Sequence, residues 1–218
     1  MHWLKKRIYN FIKKGIKVYL NIFLEFRVWG VENIPDGPKI FCSNHFSSTD
    51  PFFMITVMDE PVHMVIGPGF SVPVFRHILK AGEQINALPE RRKFVISEAV
   101  EYLKKGESIY IFPEGDLNDQ VSFREFYHGM AKIYLTHPCP IIPIGVVSPI
   151  RYVKEIDKNI KIGETTFRTL AVMSGKYYTN IGDPLSFKPH VTAREITDTV
   201  KENIKYLIED IKTNKFWS

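Results

Sequence analysis

The chain has 218 residues, of which 44 % are hydrophobic and 24 % charged, a composition that indicates one folded domain of ordinary size and excludes a largely disordered chain. The net charge of +5 arises within residues 1–25, which hold six cations and one anion, so the remainder lacks the basic surface of a general nucleic-acid binder and we expect no nucleic-acid partner. Cys42 and Cys139 lie outside any Cys-x-x-Cys pair, which argues against a cysteine-based metal site or a disulfide scaffold.

Residues 1–25 predict a basic amphipathic helix. Apolar residues recur every three or four positions, and lysines occupy much of the remaining surface; the apolar set is Leu4, Ile8, Ile12, Ile16, Tyr19 and Phe23. The charge-free runs are far shorter than the roughly 20 residues of a spanning helix, and no signal-peptide cleavage pattern follows. Such a helix suits the surface of an anionic bilayer. Packing against its own domain is the alternative, and the two are compatible.

Residues 26–218 predict one domain in which strands and helices alternate. The predicted strands are residues 26–31, 39–43, 63–66, 83–86, 108–112, 141–147, 166–174 and 176–181. The predicted helices are residues 50–58, 74–80, 90–105 and 129–136, followed by a C-terminal helix that Thr192 and Glu195 open as a capping box. This order implies an α/β fold, a single-domain sandwich with a mostly parallel or mixed central sheet flanked by helices, plus the N-terminal amphipathic helix.

The first residues that could carry out chemistry are His45 and Asp50, between a predicted strand and a predicted helix. A chain that leaves a strand and turns back into a helix can bring these two side chains together. Asp50 could then hydrogen-bond one ring nitrogen of His45, and the other nitrogen could take a proton from an acceptor hydroxyl. Asp50 before Pro51 also has a purely structural explanation as a helix N-cap, so the spacing alone leaves both roles open.

A second set of candidate residues follows the predicted strand 108–112. The tetrad Phe112-Pro113-Glu114-Gly115 places a carboxylate and a flexible turn at the carboxyl end of a buried strand. Ligands of open α/β sheets bind at that edge. An ordinary Pro-Glu-Gly turn is the alternative.

Together these motifs resemble those of the glycerolipid acyltransferase family, whose best-known members are the 1-acylglycerol-3-phosphate acyltransferases of phospholipid synthesis. The resemblance covers residues 25–190 and rests on the order and intervals of five motifs: Asn44-His45 to Asp50, the Phe-Pro-Glu-Gly tetrad, Phe126 to Gly129, Ile142-Pro143-Ile144 and Gly182-Asp183-Pro184.

The resemblance implies that a fatty acyl group moves from acyl-CoA or acyl carrier protein to the hydroxyl of a lysophosphatidic acid-like acceptor. It assigns His45 as general base and Asp50 as its partner, with no acyl-enzyme, no metal and no cofactor besides the donor. With the basic helix, it implies a peripheral position at the cytoplasmic face of the cell membrane, in contact with the lipid surface.

The chain departs from the family pattern at two arginines. After the tetrad the family has Thr or Ser, then Arg and Ser, whereas here Leu117 replaces the arginine that is thought to hold the acceptor phosphate, and Asp116 precedes it. Leu88 stands where an earlier motif has arginine. Planar arginine is hard to replace in phosphate recognition.

Two explanations stay open for the acceptor. In the first, substrate contacts come from shifted positions, and the candidate binding residues are Glu114, Gly115, Arg91, Arg92 and Arg124. In the second, the acceptor lacks a phosphomonoester and is a substituted lysophospholipid, an amino-lipid or a glycolipid. Lysophosphatidic acid is the first expectation, because it is the family's commonest acceptor.

Three other functions share parts of the pattern. A thioesterase could use the same histidine with water, although no Gly-x-Ser-x-Gly motif is present. A lipid-binding module without catalysis would not need His45, Asp50 and Glu114 together. A metal site built from these three residues would lack the helical His-Glu-x-x-His pattern of zinc enzymes, and we expect none.

Overall fold

The computed structural model describes residues 3–119, 123–156, 160–162, 165–167 and 169–215. Its α-helices are α1 (Trp3–Phe23), α2 (Asp50–Val57), α3 (Pro73–Ala81), α4 (Val95–Lys104), α5 (Gly129–Thr136) and α6 (Ala193–Asp210). Its strands are β1 (Leu24–Trp29), β2 (Ile40–Ser43), β3 (Val62–Ile66), β4 (Ile85–Asn86), β5 (Ser108–Ile111), β6 (Ile141–Val147), β7 (Val153–Glu155), β8 (Ile160–Ile162), β9 (Thr165–Phe167), β10 (Leu170–Val172) and β11 (Gly175–Ile181).

The central sheet has seven strands in the order β1-β11-β6-β2-β5-β3-β4. Strands β6, β2, β5, β3 and β4 are parallel to one another, β11 is antiparallel to β6, and β1 is parallel to β11. The predicted α/β fold with a mostly parallel sheet is therefore confirmed. Because β2 and β5 are parallel neighbours, the segments that follow them, which contain His45 and Glu114, leave the sheet at the same edge.

Helices cover both faces of this sheet. Residues of α4, α5 and α6 pack on one face together with Ile40 and Cys42 of β2, and residues of α1 and α2 pack on the other with Phe41. Successive side chains of a strand point to opposite faces, so a strand between two helical layers is apolar at every position. That is why β2 and β6 read as continuous apolar runs.

Most predicted elements differ from the structure by one or two residues at an end, and three differences have a plain cause. The first strand, predicted for residues 26–31, ends at Trp29 because Gly30 adopts a left-handed φ of 76°. The helix predicted for residues 90–105 is wrong at its start, where Pro89–Phe94 forms a 3₁₀ turn. The strand predicted for residues 166–174 is two strands, since β9 pairs with β8 and β10 with β7; residue 168 lies outside the described residues.

Helix α1 packs against the domain over much of its length. Tyr9 and Leu20 are buried, the Lys13 ammonium donates to the Met58 carbonyl just after α2, and the Tyr19 hydroxyl donates to the Met173 carbonyl. Residues 1 and 2 of the predicted helix lie outside the described residues. Among the helices that the structure describes, none has the length and apolar character needed to cross a bilayer.

A second apolar stripe runs along the exposed side of α1. Its spacing of three, seven and four residues places one side chain above another along the helix, and its members are exposed: Ile8, Phe11, Val18 and Ile22. Lys14 and Lys17 are also exposed. The helix therefore packs on its own domain and still presents an apolar and basic surface.

Candidate active site

The segment between β2 and α2 brings His45 and Asp50 together. The His45 Nδ1 and Asp50 Oδ2 atoms are 2.9 Å apart. Since a carboxylate only accepts hydrogen bonds, this contact puts a proton on Nδ1 and leaves Nε2 as the acceptor nitrogen. The fully buried Asp50 also accepts from the backbone N–H groups of Phe46 and Ser47, each at 3.0 Å, and from the Tyr177 hydroxyl at 2.8 Å. Four donors thus fix the carboxylate that orients the imidazole.

Asp50 opens α2, but its side chain does not cap that helix. The N-cap residue is Thr49, which makes no side-chain cap hydrogen bond, and the Asp50 carboxylate reaches back to Phe46 and Ser47 instead. The structural explanation of Asp50 as an N-cap is therefore wrong. Its carboxylate instead orders the loop and the imidazole.

Asn44 anchors the start of this loop to β6. Its side-chain amide donates to the Val146 carbonyl and accepts from the Val146 N–H, both at 2.9 Å. The amide thereby continues the pairing of β2 with β6 by one step beyond the strand. This contact explains why an asparagine precedes His45.

The His45 ring lies between Phe112 and a large cavity. The two rings are stacked with centroids 4.1 Å apart, and the His45 side chain keeps 17 % of its surface exposed. The cavity it lines has a volume of about 1430 Å³. Most of its wall is apolar and comes from several elements, including Ile8 and Ile12 of α1, Phe52 and Ile55 of α2, Phe75 and Ile78 of α3, and Ile156 and Met173 near the β7–β10 pair. Such a space can hold a long apolar chain beside His45.

Glu114 holds the loops around His45. It is buried, its Oε1 atom accepts from the His45 N–H at 2.9 Å and from the Asn118 amide at 2.7 Å, and its Oε2 atom accepts from the Arg124 N–H at 3.1 Å. Burial raises the pKa of Glu114, and these donors oppose the rise. Although Glu114 lines the cavity, both of its oxygens bind protein donors, so its geometry favours a bracing role over the predicted substrate contact.

Gly115 adopts a conformation that other residues rarely take. Its φ is +66°, and a Cβ atom at this position would lie 2.9 Å from the Tyr127 ring. The residue lies in the cavity wall. The glycine of the tetrad is therefore required by its backbone and by close packing.

The three predicted arginines have different surroundings. Arg92 and Arg124 line the cavity, and Arg124 Nη1 lies 3.0 Å from Asp116 Oδ2. Arg91 does not line the cavity; it pairs with Glu98 and lies over the Phe94 ring. Leu88 and Leu117 lie in the cavity wall, which is consequently apolar at both positions where the resemblance implies arginine.

Sequence reasoning missed Tyr177, which lies 127 positions beyond Asp50. The one available signal is that a buried tyrosine hydroxyl needs a hydrogen-bond partner, but the apolar pattern of β11 does not indicate which residue that partner is. Among the described residues, no group of three or more His, Cys, Asp or Glu is placed to hold a metal ion.

Comparisons with known proteins agree with the motifs. A profile of the family described as Acyltransferase matches residues 25–147, more than half of the chain. The 1-acyl-sn-glycerol-3-phosphate acyltransferase of Pseudomonas aeruginosa is 29 % identical over 127 residues, covering 56 % of this chain and 49 % of that protein. The chloroplastic 1-acyl-sn-glycerol-3-phosphate acyltransferase BAT2 of Brassica napus is 27 % identical over 155 residues, covering 66 % and 43 %. The chain thus spans about half the length of the curated relatives it matches.

A solved structure matches almost the whole chain. The crystal structure of the 1-acyl-sn-glycerophosphate (LPA) acyltransferase PlsC from Thermotoga maritima superposes with a TM-score of 0.74 at 23 % sequence identity, covering 98 % of this chain and 83 % of that chain. At this identity the match shows that the two share a fold.

Proposed function

This chain belongs to the acyltransferase family, and on that premise we propose that it transfers a fatty acyl group from acyl-CoA or acyl carrier protein to the hydroxyl of a lysophospholipid. One observation carries the proposal: an imidazole whose Nδ1 is held by a buried carboxylate at 2.9 Å lines a large apolar cavity. The apolar wall suits a fatty chain, and the free ring nitrogen suits a base.

The reaction needs two proton transfers, one from the acceptor hydroxyl to His45 and one from His45 to the leaving thiolate. His45 Nε2 takes the proton of the acceptor hydroxyl while that oxygen attacks the thioester carbonyl, and Asp50 stabilises the imidazolium that forms. The tetrahedral intermediate collapses with cleavage of the carbon–sulfur bond. The thiolate then takes the proton from His45, which leaves an ester, a free thiol and the neutral imidazole.

The acceptor has two candidates. The names of the two curated relatives favour lysophosphatidic acid. The residues of the site favour a substituted head group, because Leu88 and Leu117 replace arginines and Asp116 adds a negative charge to the cavity wall. Both candidates are lysophospholipids with a free hydroxyl, so the chemistry at His45 is the same.

The lipid substrate and product favour a peripheral position on a membrane, and we propose its cytoplasmic face. The exposed stripe of α1 supports this, with Lys14 and Lys17 placed to meet anionic lipids. Helix α3 adds the exposed apolar side chain of Val74 and, in the lining of the same cavity, those of Phe75 and Ile78. An acyl chain could then pass between bilayer and cavity with little exposure to water.

The test is an assay of thiol release with purified protein, palmitoyl-CoA and a panel of lysophospholipids in mixed micelles. We expect His45→Ala to lower the rate about 10²- to 10⁴-fold, the range for loss of general-base help. His190→Asn is the matched control, because His190 is exposed and has a left-handed φ of 73° that asparagine tolerates.

Three outcomes would contradict the proposal. Equal rates for His45→Ala and the wild type would remove the base from the mechanism. Release of free fatty acid at the same rate without an acceptor would identify a thioesterase. Lipid binding that survives in His45→Ala, with no turnover by the wild type on any acceptor, would identify a binding module.

A further inference from the structure

Asp116 contributes a negative charge to the cavity wall next to the site. Its neighbour Asn118 donates its backbone N–H to the His45 carbonyl at 2.7 Å, so the segment that follows the tetrad lies against the histidine. The Asp116 side chain is 33 % exposed. A carboxylate in this place can meet the head group of a substrate whose hydroxyl reaches His45.

The carboxylate of Asp116 has capacity left for a ligand. Its Oδ1 atom accepts from the Leu117 N–H at 2.8 Å, and its Oδ2 atom lies 3.0 Å from Arg124 Nη1. A carboxylate has about four acceptor sites, and these contacts with described residues use two of them. Glu114 differs, because it is buried and three protein donors bind its oxygens.

The charges of Asp116 and Arg124 disfavour an acceptor with a phosphomonoester. Such a group carries a charge of about −1.5 to −2, and here it would lie beside the carboxylate of Asp116. Arg124 pairs with Asp116, so its single positive charge is partly offset and compensates one charge of a ligand better than two, and Leu117 offers no donor from its side chain. A negative charge that repels one ligand class is an ordinary means of specificity.

A head group that carries one negative and one positive charge fits Asp116 and Arg124. A phosphodiester has one negative charge, and an ammonium a few bonds away has one positive charge. The guanidinium of Arg124 and the carboxylate of Asp116 offer the complementary pair at adjacent positions. Arg92, which also lines the cavity, adds a second cation for the phosphate.

We propose that Asp116 and Arg124 form the head-group site of the acceptor, and that the acceptor is a lysophospholipid with a zwitterionic head group. Asp116 binds the ammonium, and Arg124 binds the phosphodiester. The assignment rests on the acyl transfer proposed above. It extends that proposal, because it names the class of acceptor that the site selects.

The experiment compares three acceptors with the same acyl chain and palmitoyl-CoA as donor. Lysophosphatidylethanolamine has a phosphodiester and an ammonium, lysophosphatidylglycerol has the phosphodiester alone, and lysophosphatidic acid has a phosphomonoester. For the wild type we expect kcat/KM to be highest for lysophosphatidylethanolamine, by about tenfold or more over the other two. Lysophosphatidylglycerol separates recognition of the ammonium from rejection of the phosphomonoester.

Two variants test the residues. Asp116→Asn keeps the shape and the Oδ1 acceptor but removes the charge, and we expect it to lower kcat/KM about tenfold for lysophosphatidylethanolamine without lowering it for lysophosphatidylglycerol. Leu117→Arg should raise kcat/KM for lysophosphatidic acid. Asp183→Asn, which removes the charge of an exposed aspartate outside the cavity lining, is the control and should change none of the three.

The outcomes separate the two proposals. A wild type that prefers lysophosphatidic acid overturns the head-group assignment and leaves the acyl transfer intact. The head-group assignment is also overturned if Asp116→Asn lowers kcat/KM for all three acceptors alike, since Asp116 would then only brace its loop. No turnover of any acceptor overturns both. The wild-type ranking decides the assignment even if a variant fails to fold.

Discussion

Replacing Tyr177 by phenylalanine would remove one hydroxyl from the buried side of the candidate active site. That hydroxyl donates to Asp50 Oδ1 at 2.8 Å, and both residues are fully buried. The Tyr177 ring also contacts Phe46 and Phe53, with centroids 5.6 and 5.0 Å away. These contacts would hold a phenylalanine ring in the same place, so the substitution removes the donor and little else.

The expected cost follows from the charge of the acceptor. Burial raises the pKa of Tyr177 well above its ordinary value, so the hydroxyl stays protonated and remains a donor throughout the working pH range. A hydrogen bond to a charged group contributes about 1.5–3 kcal/mol. Because Asp50 is fully buried, water cannot readily replace the donor. We therefore expect the free energy of unfolding to fall by about 1.5–3 kcal/mol.

Activity should fall by a smaller amount. Asp50 would keep three donors, including the ring of His45, so the imidazole would stay near its place but would be held less firmly. If about half of the lost interaction, about 0.75–1.5 kcal/mol, acts through the orientation of His45, the rate of acyl transfer falls about 4- to 13-fold, since about 1.4 kcal/mol corresponds to a factor of ten.

Urea unfolding at pH 7, followed by circular dichroism, measures the stability term, and thiol release measures the rate. A double-mutant cycle with Asp50→Asn isolates the pair, and we expect a coupling of about 1 kcal/mol or more. Tyr206→Phe is the control, because this tyrosine is 71 % exposed. The reasoning fails if Tyr177→Phe costs no more than the control, or if its cost is unchanged in the Asp50→Asn background.

Three further predictions concern the tetrad and α1. Gly115→Ala forces a residue with a Cβ atom to a φ of +66° and to within 2.9 Å of the Tyr127 ring, so thermal unfolding should show a loss of at least about 1–2 kcal/mol; an unchanged melting temperature would contradict this. Burial raises the pKa of Glu114 above its ordinary value of 4.5, so its contribution to stability is full below that value and is lost as the pH rises through the raised pKa. Urea unfolding between pH 4 and 7 should thus show the wild type losing stability relative to Glu114→Gln as the pH rises, and the opposite slope would refute the stated cause. Phe11→Glu should weaken sedimentation with anionic vesicles at least about tenfold, whereas Leu135→Glu, the same change at an exposed position of α5, should not; equal effects would argue against α1 as the docking surface.

Local patterns explain why much of the fold could be predicted. The capping box of Thr192 and Glu195 at the start of α6 is present as predicted, because its partners lie three residues apart. The contact of His45 with Asp50 was also predictable, since five residues separate them and a strand-to-helix turn closes that distance. Apolar runs and helical periodicity likewise predicted the α/β alternation, because burial between two layers requires apolar residues throughout a strand and along one face of a helix.

Contacts between distant segments are what only the tertiary structure decided. The alternation of apolar residues in β11 does not reveal that the strand is antiparallel to β6, nor that its Tyr177 lies against Asp50. The split of residues 165–172 into two strands depends on separate partners, β8 and β7. Glu114 joins the backbone of His45 to that of Arg124, and nothing in the sequence around either residue indicates that the other is its neighbour. Such contacts depend on the order and direction of the strands in the sheet, which burial patterns within one segment do not encode. The motifs therefore determined the candidate catalytic pair, His45 and Asp50, while the sheet determined what holds that pair in place.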